Sequence, residues 1–231
     1  MKQKTALITG ASRGLGKELA FVFANNGYDL ILQAKKNKLP EILRGEENIF
    51  YSSVYGDLGD KGTIEKLIKT SKGKEIDVFI NNAGMYSNKL FSDISLEECE
   101  EILNVNLIAP IILTKGIWEI FKAKNAGTII NINSTAGKFG SYGESVYSAS
   151  KHGMSGFLKS LQFEVAKYNI QIIDVFLGAM KTEMTQYRKD TDYLMMPSEV
   201  AKYIYSVCLS QDIAACKTAR ITELNINRNI Y

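Results

Sequence analysis

Short aliphatic and β-branched runs alternate along this chain with longer stretches whose apolar positions recur every three or four residues, which predicts strands followed by helices throughout. TALIT (5–9) reads as a strand leading into a helix near 14–26, which Asn26-Gly27 ends as a left-handed stop before the strand YDLILQA (28–34). A short LPEIL helix, a strand over NIFYSSVY (48–55), a helix near 60–71, the strand IDVFI (76–80) and a long helical region near 95–124 follow. GTIININ (127–133), a helix running to about Tyr168, IQIIDVFL (170–177), a helix near 198–209 and a last strand around ITEL (221–224) complete the series. Such repetition implies parallel pairing through right-handed crossovers with helices on both faces, a doubly wound α/β sheet. Runs such as ALIT, LIL and VFI are apolar at every position, as strands buried on both faces require. The three prolines, Pro40, Pro110 and Pro197, do not cluster and no linker or repeat interrupts the pattern, so residues 1–231 are expected to form one domain.

Composition narrows the function. Hydrophobic residues make up 45% of the 231 positions and charged ones 23%, enough apolar surface to close a core. The net charge of +3 is too balanced for a nucleic-acid footprint or a membrane-surface protein, so neither partner is expected. Cys99, Cys208 and Cys216 lie far from any metal-ligand spacing and the chain has one histidine, so neither a metal site nor a disulfide framework is expected. The short apolar start runs straight into a glycine-rich turn, unlike a signal peptide, and LIAPIILTKGIW is broken by Pro110 and Lys115. A cytoplasmic protein is expected.

Two constellations carry chemistry. Thr9-Gly10-Ala11-Ser12-Arg13-Gly14-Leu15-Gly16 stands between the first strand and the first helix, where glycines allow a tight turn and free N–H groups at a helix start attract a pyrophosphate. The second strand ends Gln33-Ala34-Lys35-Lys36, with no acid to accept from both ribose hydroxyls, and Lys35 with Arg13 can meet a 2′-phosphate instead, which favours NADP(H) over NAD(H). Further on, Tyr147 and Lys151 in YSASK share one helical face, so an ammonium can sit beside a phenol that on its own titrates near pH ~10 and lower it. A Tyr/Lys pair at that spacing also occurs on ordinary surface helices, so its meaning depends on the glycine-rich turn and on Ser134 in NSTAG.

TGASRGLG, NNAG (81–84), the NST around Ser134 and YSASK, in this order and over the whole chain from Lys4 to the ITEL strand, resemble the short-chain dehydrogenase/reductase family in its single-domain form. The resemblance implies a Rossmann-type sheet of about seven strands in the order 3-2-1-4-5-6-7 and assembly as a homodimer or homotetramer. It implies that Gly10, Ser12, Arg13, Leu15 and Gly16 hold the phosphates, that Asp57 and Leu58 line the adenine pocket, and that Asn82, Ala83 and Gly84 pack along the cofactor. The catalytic set it implies is Asn106, Ser134, Tyr147 and Lys151, with Tyr147 as acid and base and Lys151 also binding the nicotinamide ribose. Developing alkoxide charge needs donors where it forms, which a serine hydroxyl and a phenol supply. Pro110 has no N–H to return to the carbonyl of Asn106 four residues earlier, and in the family that carbonyl holds a water linking the lysine to solvent. Where the family has Pro-Gly after the sixth strand, this chain has Leu177-Gly178, and Gly178 and Thr182 remain placed to contact the nicotinamide carboxamide.

The expected reaction is hydride transfer between a nicotinamide and a small carbonyl or secondary alcohol. Substrate choice falls to residues 85–91, 136–146 and a short lid near 183–197, where Met184, Tyr187, Tyr193, Met195 and Met196 suggest an adaptable apolar pocket. Reduction of a 3-oxoacyl thioester is the enzymatic alternative, with Arg188 and Lys189 meeting an acidic carrier. A catalytically silent NADP(H)-binding sensor or scaffold is the alternative of another class. His152 points away from the Tyr147 face, the Ile111, Ile112, Ile117, Trp118, Ile120 and Phe121 set reads as core or interface, and Lys159, Glu164 and Lys167 read as solvated.

Overall fold

A computed structural model describes residues 3–36, 39, 51–186, 191–209 and 221–227. The expected LPEIL helix beyond Leu39, the first three residues of the NIFYSSVY strand, and Tyr187, Arg188 and Lys189 lie outside them. Seven parallel strands form one sheet in the order β3-β2-β1-β4-β5-β6-β7, as the resemblance implies. They are β1 (Thr5–Ile8), β2 (Asp29–Ala34), β3 (Tyr51–Tyr55), β4 (Ile76–Asn81), β5 (Gly127–Ser134), β6 (Ile170–Leu177) and β7 (Ile221–Ile226).

Side chains alternate across the sheet plane, and both faces are covered. On one face Ala6, Ile8, Leu30, Leu32 and Val78 meet Leu15, Leu19 and Phe23 of α1 (Gly14–Asn25) and Val200 and Ile204 of α6 (Pro197–Cys208). On the other, Leu7, Ile31 and Phe79 meet Ile64 and Leu67 of α2 (Lys61–Lys72), Leu113, Ile117 and Phe121 of α4 (Ala109–Lys124), and Met154 and Leu158 of α5 (Ser145–Val165). This two-sided burial is why the strand runs lack polar alternation.

Local signals account for the boundaries. Asp60 caps α2 by accepting from the N–H groups of Gly62 and Thr63. Ser95 caps α3 (Leu96–Leu103) by accepting from Glu98, with Glu97 and Glu98 in the first turn complementing the helix dipole. The long helical region is continuous from Leu96 to Lys124 but widens into a π turn over Asn104–Ile108, just before Pro110. Its most apolar window has a mean hydropathy of 1.2, so Pro110 and Lys115 do not break it as the sequence suggested; Leu113, Ile117 and Phe121 spend that hydrophobicity in the core. α5 ends at Val165, three residues earlier than expected, in a turn where Tyr168 donates to the Val165 carbonyl. Lys159 is not simply solvated: it and Lys138 both pair with Glu223 of β7.

Phe79 is fully buried in β4 against the α2/α4 layer. Phe79→Ala is expected to cost about 3–5 kcal/mol, read as a lower urea midpoint at unchanged slope.

Candidate active site

The site sits at the carboxyl ends of the strands, where β1 and β4 diverge in strand order and their following loops face opposite ways. Thr9 leaves β1 there, and its Oγ1 accepts from the N–H groups of Asn82 and Ala83, both at 3.0 Å. Asn82 returns the contact, its Nδ2 donating to the carbonyls of Thr9 at 2.9 Å and Gly10 at 3.3 Å. These bonds lock the glycine-rich turn to the NNAG loop. Gly10 and Gly14 hold φ of +66° and +53°, the left-handed region costly to other residues. A Cβ on Gly16 would lie 2.2 Å from the Gly10 carbonyl oxygen, so only glycine lets α1 start this close to the turn. α1 has no side-chain cap and no acid in its first turn, which leaves its N-terminal N–H groups available to an anion.

A cleft of about 730 Å³ runs from this turn to α5. Gly10, Ser12, Arg13, Leu15, Gly16, Lys35, Asp57, Leu58, Asn82, Ala83, Gly84, Gly178 and Thr182 all line it, together with Ser134, Tyr147 and Lys151. Asn106 does not. Its buried side chain donates to the Met85 carbonyl at 2.8 Å and to Ser150 Oγ at 3.1 Å and accepts from the Met85 N–H at 2.7 Å, tying the NNAG loop to α5.

The basic residues at the nucleotide end have acidic partners. Lys35 pairs with Asp57 and lies 3.6 Å from Glu101, and Arg13 pairs with Glu183. The bond to Asp57 holds the Lys35 ammonium above its usual range; burial pushes Asp57 up, but Lys35 and the Gly59 N–H outweigh it and hold the carboxyl low. Lys35 is therefore not the free cation the strand end suggested. Gln33 was not singled out from sequence, yet its buried amide accepts from the Gly10 N–H at 3.0 Å and donates to the Gly56 carbonyl at 2.8 Å, bracing the turn.

At the other end, Tyr147 and Lys151 lie on successive turns of α5, with Nζ 5.8 Å from the phenol ring centre. Ser134, at the end of β5, hydrogen bonds the Tyr147 side chain. Burial pushes the phenol up to about 12; the Ser134 bond pulls it down and the Glu144 charge pushes it further up. Loss of hydration around the ring, rather than the charge of Lys151, sets the direction of the shift. Lys151 is itself buried and donates from Nζ to the Ile132 carbonyl at 3.1 Å. Desolvation lowers its ammonium to about 8, with the Asp174 charge opposing that fall.

Asp174 is the residue sequence reading missed here, since one acid inside IQIIDVFL looks like a polar interruption of a strand. It is 1% exposed, and its carboxylate accepts from Asn131 at 2.7 Å, Ser155 at 2.9 Å and Asn133 at 3.1 Å. Asn81 donates to Asn131 at 2.7 Å, so a buried polar chain crosses β4, β5 and β6 beneath α5. After β6, Leu177 is buried and Gly178 donates to the Ile226 carbonyl, so the strand runs on without the family's proline. Two backbone bonds join the residues flanking the segment expected to form a lid, Met195 donating to the Ala179 carbonyl and Lys181 to that of Met195. Asp174→Asn removes the charge that favours the buried ammonium, so Lys151 should titrate lower still. NMR of the lysine ε-methylene against pH reads this, and an unmoved midpoint would show that the two groups are uncoupled.

Comparison with known proteins agrees with this architecture. The family model described as short chain dehydrogenase matches residues 4–192. A 3-oxoacyl-(acyl-carrier-protein) reductase of Buchnera aphidicola is 32% identical over 241 residues covering 97% of each chain. One from Haemophilus influenzae is 35% identical over 200 residues, covering 82% of this chain and 79% of its own. The crystal structure of an actinorhodin polyketide ketoreductase variant with NADPH aligns with a TM-score of 0.85 at 25% identity, covering 98% of this chain and 96% of that one. With a family match over most of its length and the family's sheet order, this chain belongs to the short-chain dehydrogenases.

Proposed function

We propose that the protein is an NADP(H)-dependent oxidoreductase acting on a small carbonyl compound or the corresponding secondary alcohol. The observation that carries this reading is one cleft with an uncapped helix N-terminus at one end and Tyr147, Ser134 and Lys151 at the other. The bound nicotinamide supplies or accepts the hydride. Tyr147 gives its proton to the developing alkoxide oxygen, and Ser134, already bonded to the phenol, is placed to donate to the same oxygen. Lys151 holds positive charge behind the phenol and, with its carbonyl anchor at Ile132, orients toward the cofactor ribose. Proton resupply runs past the backbone carbonyl of Asn106, which Pro110 cannot bond.

NADP(H) is the favoured cofactor. β2 ends without an acid, Lys35 and Arg13 line the nucleotide end, and a structural relative carries NADPH. The ion pairs of Lys35 and Arg13 are solvent-exposed and worth about 0–1 kcal/mol each, so a doubly charged phosphate displaces Asp57 and Glu183 at small cost. Lys35→Glu should cut the preference for NADPH over NADH by about tenfold or more. Tighter binding of NADH than NADPH by the unmodified protein overturns this assignment.

A second reading, reduction of a 3-oxoacyl thioester, is favoured by the names of the curated relatives. We also infer a cytoplasmic homo-oligomer joined through the outer faces of the long helices, where Ile108, Ile112 and Phe163 are exposed. Following NADPH absorbance against ketones, aldehydes, quinones, diketones and 3-oxoacyl thioesters separates the substrate readings. Tyr147→Phe should lower the rate with any accepted substrate by about 10²–10⁴-fold. Tight NADPH binding with no turnover of any carbonyl would instead leave a silent sensor.

A further inference from the structure

Glu144 directly precedes α5, three residues before Tyr147, and it is 9% exposed. The Glu144 side chain makes no cap bond to the helix. Its carboxylate turns instead into the cleft, where Oε1 accepts from the Tyr86 hydroxyl at 2.7 Å. No ion pair reaches Glu144 among the described residues, and Oε2 has no hydrogen-bond partner among them. The basic side chains lining the cleft are engaged elsewhere: Arg13 by Glu183, Lys35 by Asp57, and Lys151 by the Ile132 carbonyl.

A carboxylate that is 9% exposed and holds one hydroxyl donor gains from whatever brings it a further donor or a positive charge. The surroundings select which. Tyr86 packs edge-on against Tyr147 with ring centres 5.1 Å apart, and Phe139 stands exposed on the same cleft. A carboxylate set among aromatic rings is the chemistry that holds an alkylammonium, the charge meeting the acid and its methylene or methyl groups meeting the ring faces. A neutral hydroxyl satisfies Oε2 but leaves the negative charge beside the phenol, where Glu144 already makes proton loss harder. A cation cancels that charge. An anionic substrate group pays the desolvation and meets repulsion besides.

We propose that Glu144 is a cation subsite and that the substrate of this enzyme is a carbonyl or alcohol compound bearing a protonated or quaternary amine near the reacting carbon. The proposal rests on the carbonyl-reductase reading above and deepens it from reaction class to substrate class. It also sets the protein apart from a 3-oxoacyl thioester reductase, whose acyl chain brings no cation to this position.

The test uses two ketones of one shape, dimethylcyclohexanone with both methyls on the carbon opposite the carbonyl, and its quaternary-nitrogen isostere, dimethyl-oxopiperidinium. The ratio of their kcat/KM values with NADPH is measured for the unmodified enzyme and for Glu144→Gln, which cancels differences in carbonyl reactivity and hydration. Glu144→Gln should shift the ratio about tenfold against the cation, mainly through KM. A ratio unchanged within twofold overturns the subsite. Should the variant fold poorly, inhibition of the unmodified enzyme by tetramethylammonium decides: competition with the neutral ketone is expected, and no inhibition at any attainable concentration overturns the proposal. If neither ketone turns over, calorimetric titration of the quaternary ketone into the enzyme–NADPH complex still reads the subsite, while the lack of turnover counts against the reductase reading alone.

Discussion

A lysine ammonium held inside an apolar sheet is the constraint around which this site is organised. Lys151 is buried beneath α5 with one direct bond, to the Ile132 carbonyl, and desolvation works against its charge. The fold answers with a second buried group, Asp174, whose carboxyl is held above its usual range by burial while bonds from Asn131, Ser155 and Asn133 oppose that rise. Those donors come from β5 and α5, so the bonds that favour the carboxylate form also dock the Tyr147 helix onto the sheet. Removing either charge leaves the other uncompensated in a low-dielectric interior, the usual reason such pairs resist substitution.

The same electrostatic logic separates the two ends of the cleft. At the nucleotide end every lining cation has an exposed acidic partner that an anion can displace cheaply, so the end is neutral at rest and basic on demand. At the α5 end the balance is reversed, with Glu144 bonded to the Tyr86 hydroxyl but meeting no cation among the described residues, and the phenol held high by burial. A phosphate suits the first end and a cation the second.

Much of the fold was readable from sequence because it depends on local pattern. Unbroken apolar runs marked strands buried on two faces, apolar periodicity placed helices near 60–71 and 95–124, and the glycine-rich turn marked the crossover into α1. The π turn at Asn104–Ile108 was invisible, since Pro110 signals a missing donor without saying whether the helix breaks or widens. The pairing of Lys35 was not readable because its partners, Asp57 and Glu101, arrive from other parts of the chain. The burial of the phenol was not readable for a similar reason: helical spacing reports the neighbouring lysine, whereas burial depends on everything packed around the ring.

The sequence by itself determined the order of strands and helices, the position of the anion-binding turn and the Tyr147 and Lys151 pair on one helical face. These follow from side-chain periodicity and backbone stereochemistry, which act over a few residues. Only the tertiary structure decided which charges are paired and which are left bare. Asp174 lies under Lys151 because β6 pairs with β5, and Glu144 meets Tyr86 because the NNAG loop folds back onto the start of α5. Desolvation and Coulomb interaction depend on distances through space, and those exist only once the sheet has brought remote segments together.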